Sequence, residues 1–111
     1  MKFEVEKEKL LIGINATIKA VASKTTMPIL ECFLIEAKNN LLKITATDLD
    51  LGIEYSMDAN IIEEGRATID AKMFSEIIRK LPESTITISL NEQNLLMIEC
   101  EGSLYKLALA F

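Results

Sequence analysis

Asp48 and Asp50 are paired carboxylates of the kind that could hold a divalent metal or divide acid–base work between them. They stand at i and i+2 of a turn with no third ligand type beside them. Turn chemistry, in which an Asp side chain satisfies local backbone groups, accounts for both residues. The chain has no histidine, which removes the commonest general base and the commonest metal ligand. A Ser-His-Asp arrangement therefore cannot be built within it. Cys32 and Cys100 lie in separate apolar runs and read as reduced core thiols, so a structural zinc site is not supported. Lys24-Thr25-Thr26 has no glycine-rich stretch before it, so it is not a phosphate-cradling loop. The residues call for no catalytic group, no cofactor and no metal.

What remains is charge. The formal net charge is −5, which taken alone argues against a nucleic-acid binder. Its distribution argues the other way. From Lys9 to Lys24 there are Lys9, Lys19 and Lys24 and no carboxylate. From Ala71 to Leu81 there are Lys72, Arg79 and Lys80 against Glu76. These segments carry +3 and +2, so the rest of the chain must carry −10 to reach −5. A polyanion is the expected partner of such a surface. The contact would be weak: one domain of this size reaches roughly four to six phosphates at most, and log affinity falls about 0.9 per phosphate per log unit of salt. Tyr55 and Tyr105 fall in strand patterns and Phe74 on a core face, so no aromatic platform exists to stack bases. The surface is expected to slide on duplex backbone without reading sequence.

These charges must be positioned by helices, and the apolar periodicity supplies two. Leu10, Leu11, Ile14, Ile18, Val21 and Ala22 predict a helix over 7–22, with Lys9, Gly13, Ala16, Lys19, Ala20 and Ser23 on its outer face. Asp70 is a candidate N-cap for a helix over 71–81 whose core face is Phe74, Ile77, Ile78 and Leu81, ended by Pro82. Strands are expected at 1–6, 29–37, 41–47, 51–57, 65–70, 85–90, 95–100 and 103–111. A loop at 23–29 holds Pro28, and turns fall at 38–40, 48–50, 91–94 and 101–102. The order is β-α-β-β-β twice. An echo marks the doubling: Asn40-Leu41-Leu42-Lys43-Ile44 returns as Asn94-Leu95-Leu96-Met97-Ile98, and 94 − 40 = 54.

The expected architecture is α+β: one domain over 1–111, with pseudo-repeats at about 1–60 and 61–111. Two helices would pack side by side on one face of an antiparallel sheet. The N-terminus alternates like a strand and lacks the apolar run of a signal peptide, which points to the cytoplasm. No stretch approaches the ~20 apolar residues of a membrane span. The apolar ending over 107–111 suggests that a further domain follows. On the residues alone two other readings stay open. A protein-interaction or small-ligand-binding α+β domain would carry a deep apolar pocket between sheet and helices. An enzyme built on the Asp48/Asp50 turn would bind a divalent metal, and Asp48→Asn would abolish that binding.

The sequence resembles the N-terminal domain of the bacterial DNA polymerase III beta subunit, the replication sliding clamp. The resemblance is carried by Met1-Lys2-Phe3, Glu8 with Leu10-Leu11, Met27-Pro28-Ile29-Leu30, Ala46-Thr47-Asp48-Leu49-Asp50, and Ala71-Lys72 with Phe74, Ile77, Arg79 and Leu81-Pro82. It spans essentially the whole chain, and its specificity lies in the order and spacing of these short pieces. It implies the DNA-clamp fold and a non-catalytic processivity factor. Such clamps are head-to-tail homodimer rings of three similar domains per subunit. Their helices line a hole around duplex DNA, and the ring is loaded by an ATP-driven loader and tethers the polymerase. The resemblance implies that Lys24, Lys72 and Arg79 face DNA, and with the charge pattern it extends the DNA-facing set to Lys9, Lys19 and Lys80. It places Tyr105 and Leu107 against the partner subunit. Met73 stands at that junction where the family usually has lysine. The pocket for clamp-binding peptides would lie in later domains.

Overall fold

The five-residue echo marks two tight hairpins. Asn39 and Asn40 adopt φ of 52° and 61°, and Asn94 adopts 59°. Asparagine tolerates this left-handed region better than other residues that carry a Cβ. A third hairpin turns at Glu101-Gly102, with φ of 45° and 87°. Leu49, at φ 83°, is held in its turn by side chains. Thr47 Oγ1 accepts from Leu49 N at 3.2 Å. Asp48 Oδ1 accepts from Asp50 N at 3.0 Å and from Leu51 N at 2.8 Å. Asp48 thus serves the turn.

The computed structural model describes residues 1–23 and 25–111; Lys24 lies outside the described residues. Among the described residues, nine strands and two helices follow in the order β1 (Lys2–Glu6), α1 (Lys7–Thr17), β2 (Cys32–Lys38), β3 (Leu41–Thr47), β4 (Gly52–Asp58), β5 (Asn60–Glu63), β6 (Gly65–Asp70), α2 (Ala71–Lys80), β7 (Thr85–Leu90), β8 (Leu95–Cys100) and β9 (Ser103–Ala108). Asp70 caps α2, its Oδ2 accepting from Met73 N at 2.9 Å.

The strands, expected as one antiparallel sheet, form two. One has the order β4-β3-β2-β6 and the other β5-β1-β7-β8-β9. Each run of three consecutive strands takes as its fourth the strand from the other half of the chain: β6 pairs with β2, and β1 pairs with β7. The two orders match when β4-β3-β2-β6 is laid over β9-β8-β7-β1. One apolar cluster joins both sheets and both helices, including Phe3, Leu10, Ile14, Phe33, Ile44, Phe74, Ile78, Ile88 and Ile98. Phe33 and Phe74 meet edge to face at 6.5 Å.

The first helix is shorter than its apolar period predicts. A 3-10 turn at Ile18–Ala20 follows α1. Val21 N bonds to Ile18 O, and Ala22 N is taken by Leu30 O at 2.9 Å. A second 3-10 turn at Pro28–Glu31 delays β2 to Cys32. Strand β5 was not expected; it is held by pairing with β1.

Gly13 and Ala20, expected on the outer face of the first helix, are buried. A Cβ at Gly13 would run into Met57 Cε and stand 3.2 Å from Tyr55 Cδ1 and 3.4 Å from Ile44 Cδ1. The glycine lets α1 settle close onto β3 and β4. Gly13→Ala is expected to be near neutral, because the Met57 methyl is the movable end of its side chain and alanine regains up to about 1 kcal/mol of helix propensity. Gly13→Leu cannot be absorbed this way and should cost about 1–3 kcal/mol or more, read as a lowered urea midpoint.

Candidate nucleic-acid interface

Helical periodicity turns one face of α1 and one face of α2 into the core, and leaves the rest to solvent. Leu10, Ile14 and Thr17 are buried in or beside α1, and Phe74, Ile78 and Leu81 in or beside α2. The exposed positions are Glu8, Lys9, Ile12 and Asn15 on α1, Lys19 on the following 3-10 turn, and Lys72, Met73, Glu76, Arg79 and Lys80 on α2. Within α1 itself the exposed charges Glu8 and Lys9 cancel. The positive character therefore rests on α2 and the 3-10 turn more than the expected basic first helix would have it.

The two helices are in contact. Arg79 Nη2 donates to Asn15 Oδ1 at 2.7 Å across a separation of 64 residues. The same shift of 64 carries Leu10 onto Phe74, Ile14 onto Ile78 and Asn15 onto Arg79. Corresponding residues can touch only near an axis that relates the two halves, so this bond marks where the helix faces meet. The guanidinium is thereby fixed on the seam between the helices.

A cation that the sequence reading left out holds the helix pair from below. Lys7, at the first position of α1, is buried. Its Nζ donates to Leu81 O and to Arg79 O, the latter at 3.2 Å, and stands 3.6 Å from a Glu83 carboxylate oxygen. It satisfies carbonyls at the C-terminal end of α2, where a positive charge also suits the helix dipole. Neither Lys7 nor Asn15 stands out in composition. The signal that could have found Asn15 is the repeat in its helical register of 64. The more visible echo has a register of 54, because the first half has a longer segment between its helix and the next strand.

The predicted DNA-facing residues divide as follows. Lys9, Lys19, Lys72, Arg79 and Lys80 are exposed. The ion pairs among the described residues involve the N-terminal amine, Lys7 and Lys43, so none of these five is neutralised by a carboxylate contact. Of the junction residues, Met73 is exposed at 51% and Tyr105 is half-buried. Leu107 is 6% exposed and belongs to the core cluster, because Tyr105 and Leu107 share the inward-turned face of β9 while Leu104, Lys106 and Ala108 alternate outward.

The concavities are open surface grooves. One is lined by Glu4, Val5, Glu6, Lys9, Asp58 and Asn60 among others, a rim rich in charge and unlike an enclosed apolar chamber. Among the described residues no three metal-ligating side chains gather, and no helix is long and apolar enough to cross a membrane. Cys32 and Cys100 are both buried. Burial raises both thiol pKa values, helped by the charges of Asp70 and Glu31 at Cys32 and of Glu101 at Cys100, with Lys7 opposing at the latter. Such thiols are poor nucleophiles at neutral pH.

Comparison with known proteins follows this geometry. The profile described as DNA polymerase III beta subunit, N-terminal domain, matches residues 1–110. The beta sliding clamp of Synechocystis is 37% identical over 93 residues, covering 82% of this chain and 24% of the clamp. That of Bacillus subtilis is 35% identical over 106 residues, covering 88% of this chain and 28% of the clamp. The crystal structure of a putative DNA polymerase III beta subunit from Eubacterium rectale superposes with a TM-score of 0.94 at 44% identity, over 98% of this chain and 30% of that one. The chain thus spans 24% to 30% of the length of these proteins.

Proposed function

The chain belongs to the family of DNA polymerase III beta subunit N-terminal domains, and on that premise we propose that it is a segment of a ring that encircles duplex DNA and tethers a replicative polymerase. The single observation that carries the reading is the exposed, unneutralised cation set of α2 and the 3-10 turn, lying beside α1 on a chain whose net charge is −5. A ring needs no tight grip. A shallow, smooth, weakly positive lining holds the polyanion off the acidic sheets and lets it pass, because phosphate contacts carry no sequence information.

In this reading Lys9, Lys19, Lys24, Lys72, Arg79 and Lys80 face DNA. Met73, Tyr105 and Leu107 lie toward a second subunit in a head-to-tail homodimer, the latter two on β9 with its open edge. The pseudo-repeats at about 1–60 and 61–111 are two copies of one unit, a view supported by the matched strand orders. The domain does no chemistry. The polymerase and clamp loader engage the full-length protein, whose place is the cytoplasm.

The test is topological. Full-length protein loaded on a nicked circular plasmid is expected to stay bound through gel filtration at moderate salt, and to run off once the plasmid is cut. Release that is indifferent to linearisation would sink the ring.

A further inference from the structure

Residues 109–111 extend past the last strand, and one backbone bond shows what they do there. Ala110 N donates to Thr68 O at 2.9 Å. Thr68 lies on β6, the outermost strand of the four-stranded sheet. The same arrangement exists, completed, in the first half. Asn60 comes two residues after the end of β4, as Ala110 comes two after the end of β9. Asn60 pairs with Glu4, three residues before α1, as Thr68 stands three residues before α2. From Asn60 the chain continues as β5, Ile61 pairing with Phe3 and Glu63 with Lys2. Ile61 packs against the core there. Its counterpart by this count is Phe111, which is 67% exposed.

We propose that the outer edge of β6 accepts an antiparallel strand continuous with Phe111, the second-half equivalent of β5. In a protein of the relatives' length its occupant is the segment next in sequence. The Thr68 carbonyl points outward, so strand alternation turns the Arg66 N–H and C=O to the same side. Arg66 is exposed. A strand running on from Ala110 opposite Thr68 brings the residue after Phe111 opposite Arg66. Phe111 then folds over the end of the core, as Ile61 does at the other end. The consequence is that whatever follows this domain leaves it as a ladder strand with a fixed direction. The inference stands on backbone geometry and is independent of any DNA contact.

The experiment adds four residues, Thr-Val-Thr-Val, after Phe111, and compares the product with one carrying Gly-Pro-Gly-Pro. Amide exchange is followed by NMR in dilute solution. The Arg66 amide should slow by at least about tenfold with the first extension and stay unchanged with the second, while Ile44 exchanges equally in both. In an Arg66→Cys background, an extension beginning with Cys should form a disulfide inside one molecule when treated with oxidised glutathione, which takes up the two electrons and two protons, seen as a loss of two hydrogens by mass. Equal exchange at Arg66 in the two proteins overturns the proposal. So does slowing that grows with protein concentration, because it would put the strand on a second molecule.

Discussion

Lys72→Glu combined with Arg79→Glu should cost the full-length protein about fifty-fold in duplex affinity at ~0.1 M salt. Each cation that neutralises a phosphate contributes about 0.9 to the slope of log affinity against log salt, so two lost contacts lower the slope by about 1.8, nearly two decades at that salt. Fluorescence anisotropy on a short duplex across a salt series measures both the loss and the slope. The control is Lys2→Glu with Lys38→Glu. It makes the same change in net charge at two exposed lysines outside both helices, and should leave the slope nearly unchanged. Equal losses in both proteins would mean that overall charge governs the contact and that the helix faces are not its site. Asn15→Ala gives a finer reading. It releases Arg79 from its 2.7 Å bond and should weaken binding less than removing the arginine, since the charge stays while its fixed position is lost.

Lys7→Ala is expected to be the most damaging single change to stability. It leaves the Leu81 and Arg79 carbonyls without their donor and Glu83 without its cation. Stranding buried acceptors costs about 1–3 kcal/mol, more where the lost donor is charged. A loss of about 3 kcal/mol would lower Tm by roughly 10–15 °C in a domain of this size. Lys7→Met separates the causes, since it keeps most of the aliphatic stem and removes only the ammonium. If Lys7→Met is nearly as unstable as Lys7→Ala, the hydrogen bonds matter. If it recovers most of the loss, packing of the stem does. Sequence gave no hint of this role, because a lysine at the start of a helix reads as an ordinary surface charge; the carbonyls it serves belong to residues 79 and 81, over seventy positions away.

That separation explains much of what sequence reading reached and missed. Turns and caps are local, and they were legible: Asn40 and Asn94 at their hairpins, Asp48 in its turn, and Asp70 at the start of α2 all act on backbone a few residues away. The division into two sheets depends on β1 choosing β7 and β6 choosing β2, a choice no local pattern encodes. The first helix was read too long because Ile18, Val21 and Ala22 keep its apolar period, whereas a tertiary bond from Ala22 to Leu30 ends it. Gly13 was placed outside because small residues resemble a smooth surface. Here the small residue permits close packing against Met57 and Tyr55 instead. In the candidate site, the exposed cations were legible as charge, while the Asn15–Arg79 contact became visible only with the helices side by side. Which way Leu107 faces was not legible, because an apolar residue on a terminal edge strand can face either way; the alternation of β9 turns it inward.

The exchange of β1 and β6 between the halves has a consequence for history as well as for folding. Either half made alone would hold out one strand that it could not place and keep one gap that it could not fill. A second copy would cure both defects at once. Two copies of one short chain trading a strand would be wired in the same way, and the trade makes each half's sheet wait on a strand from the other.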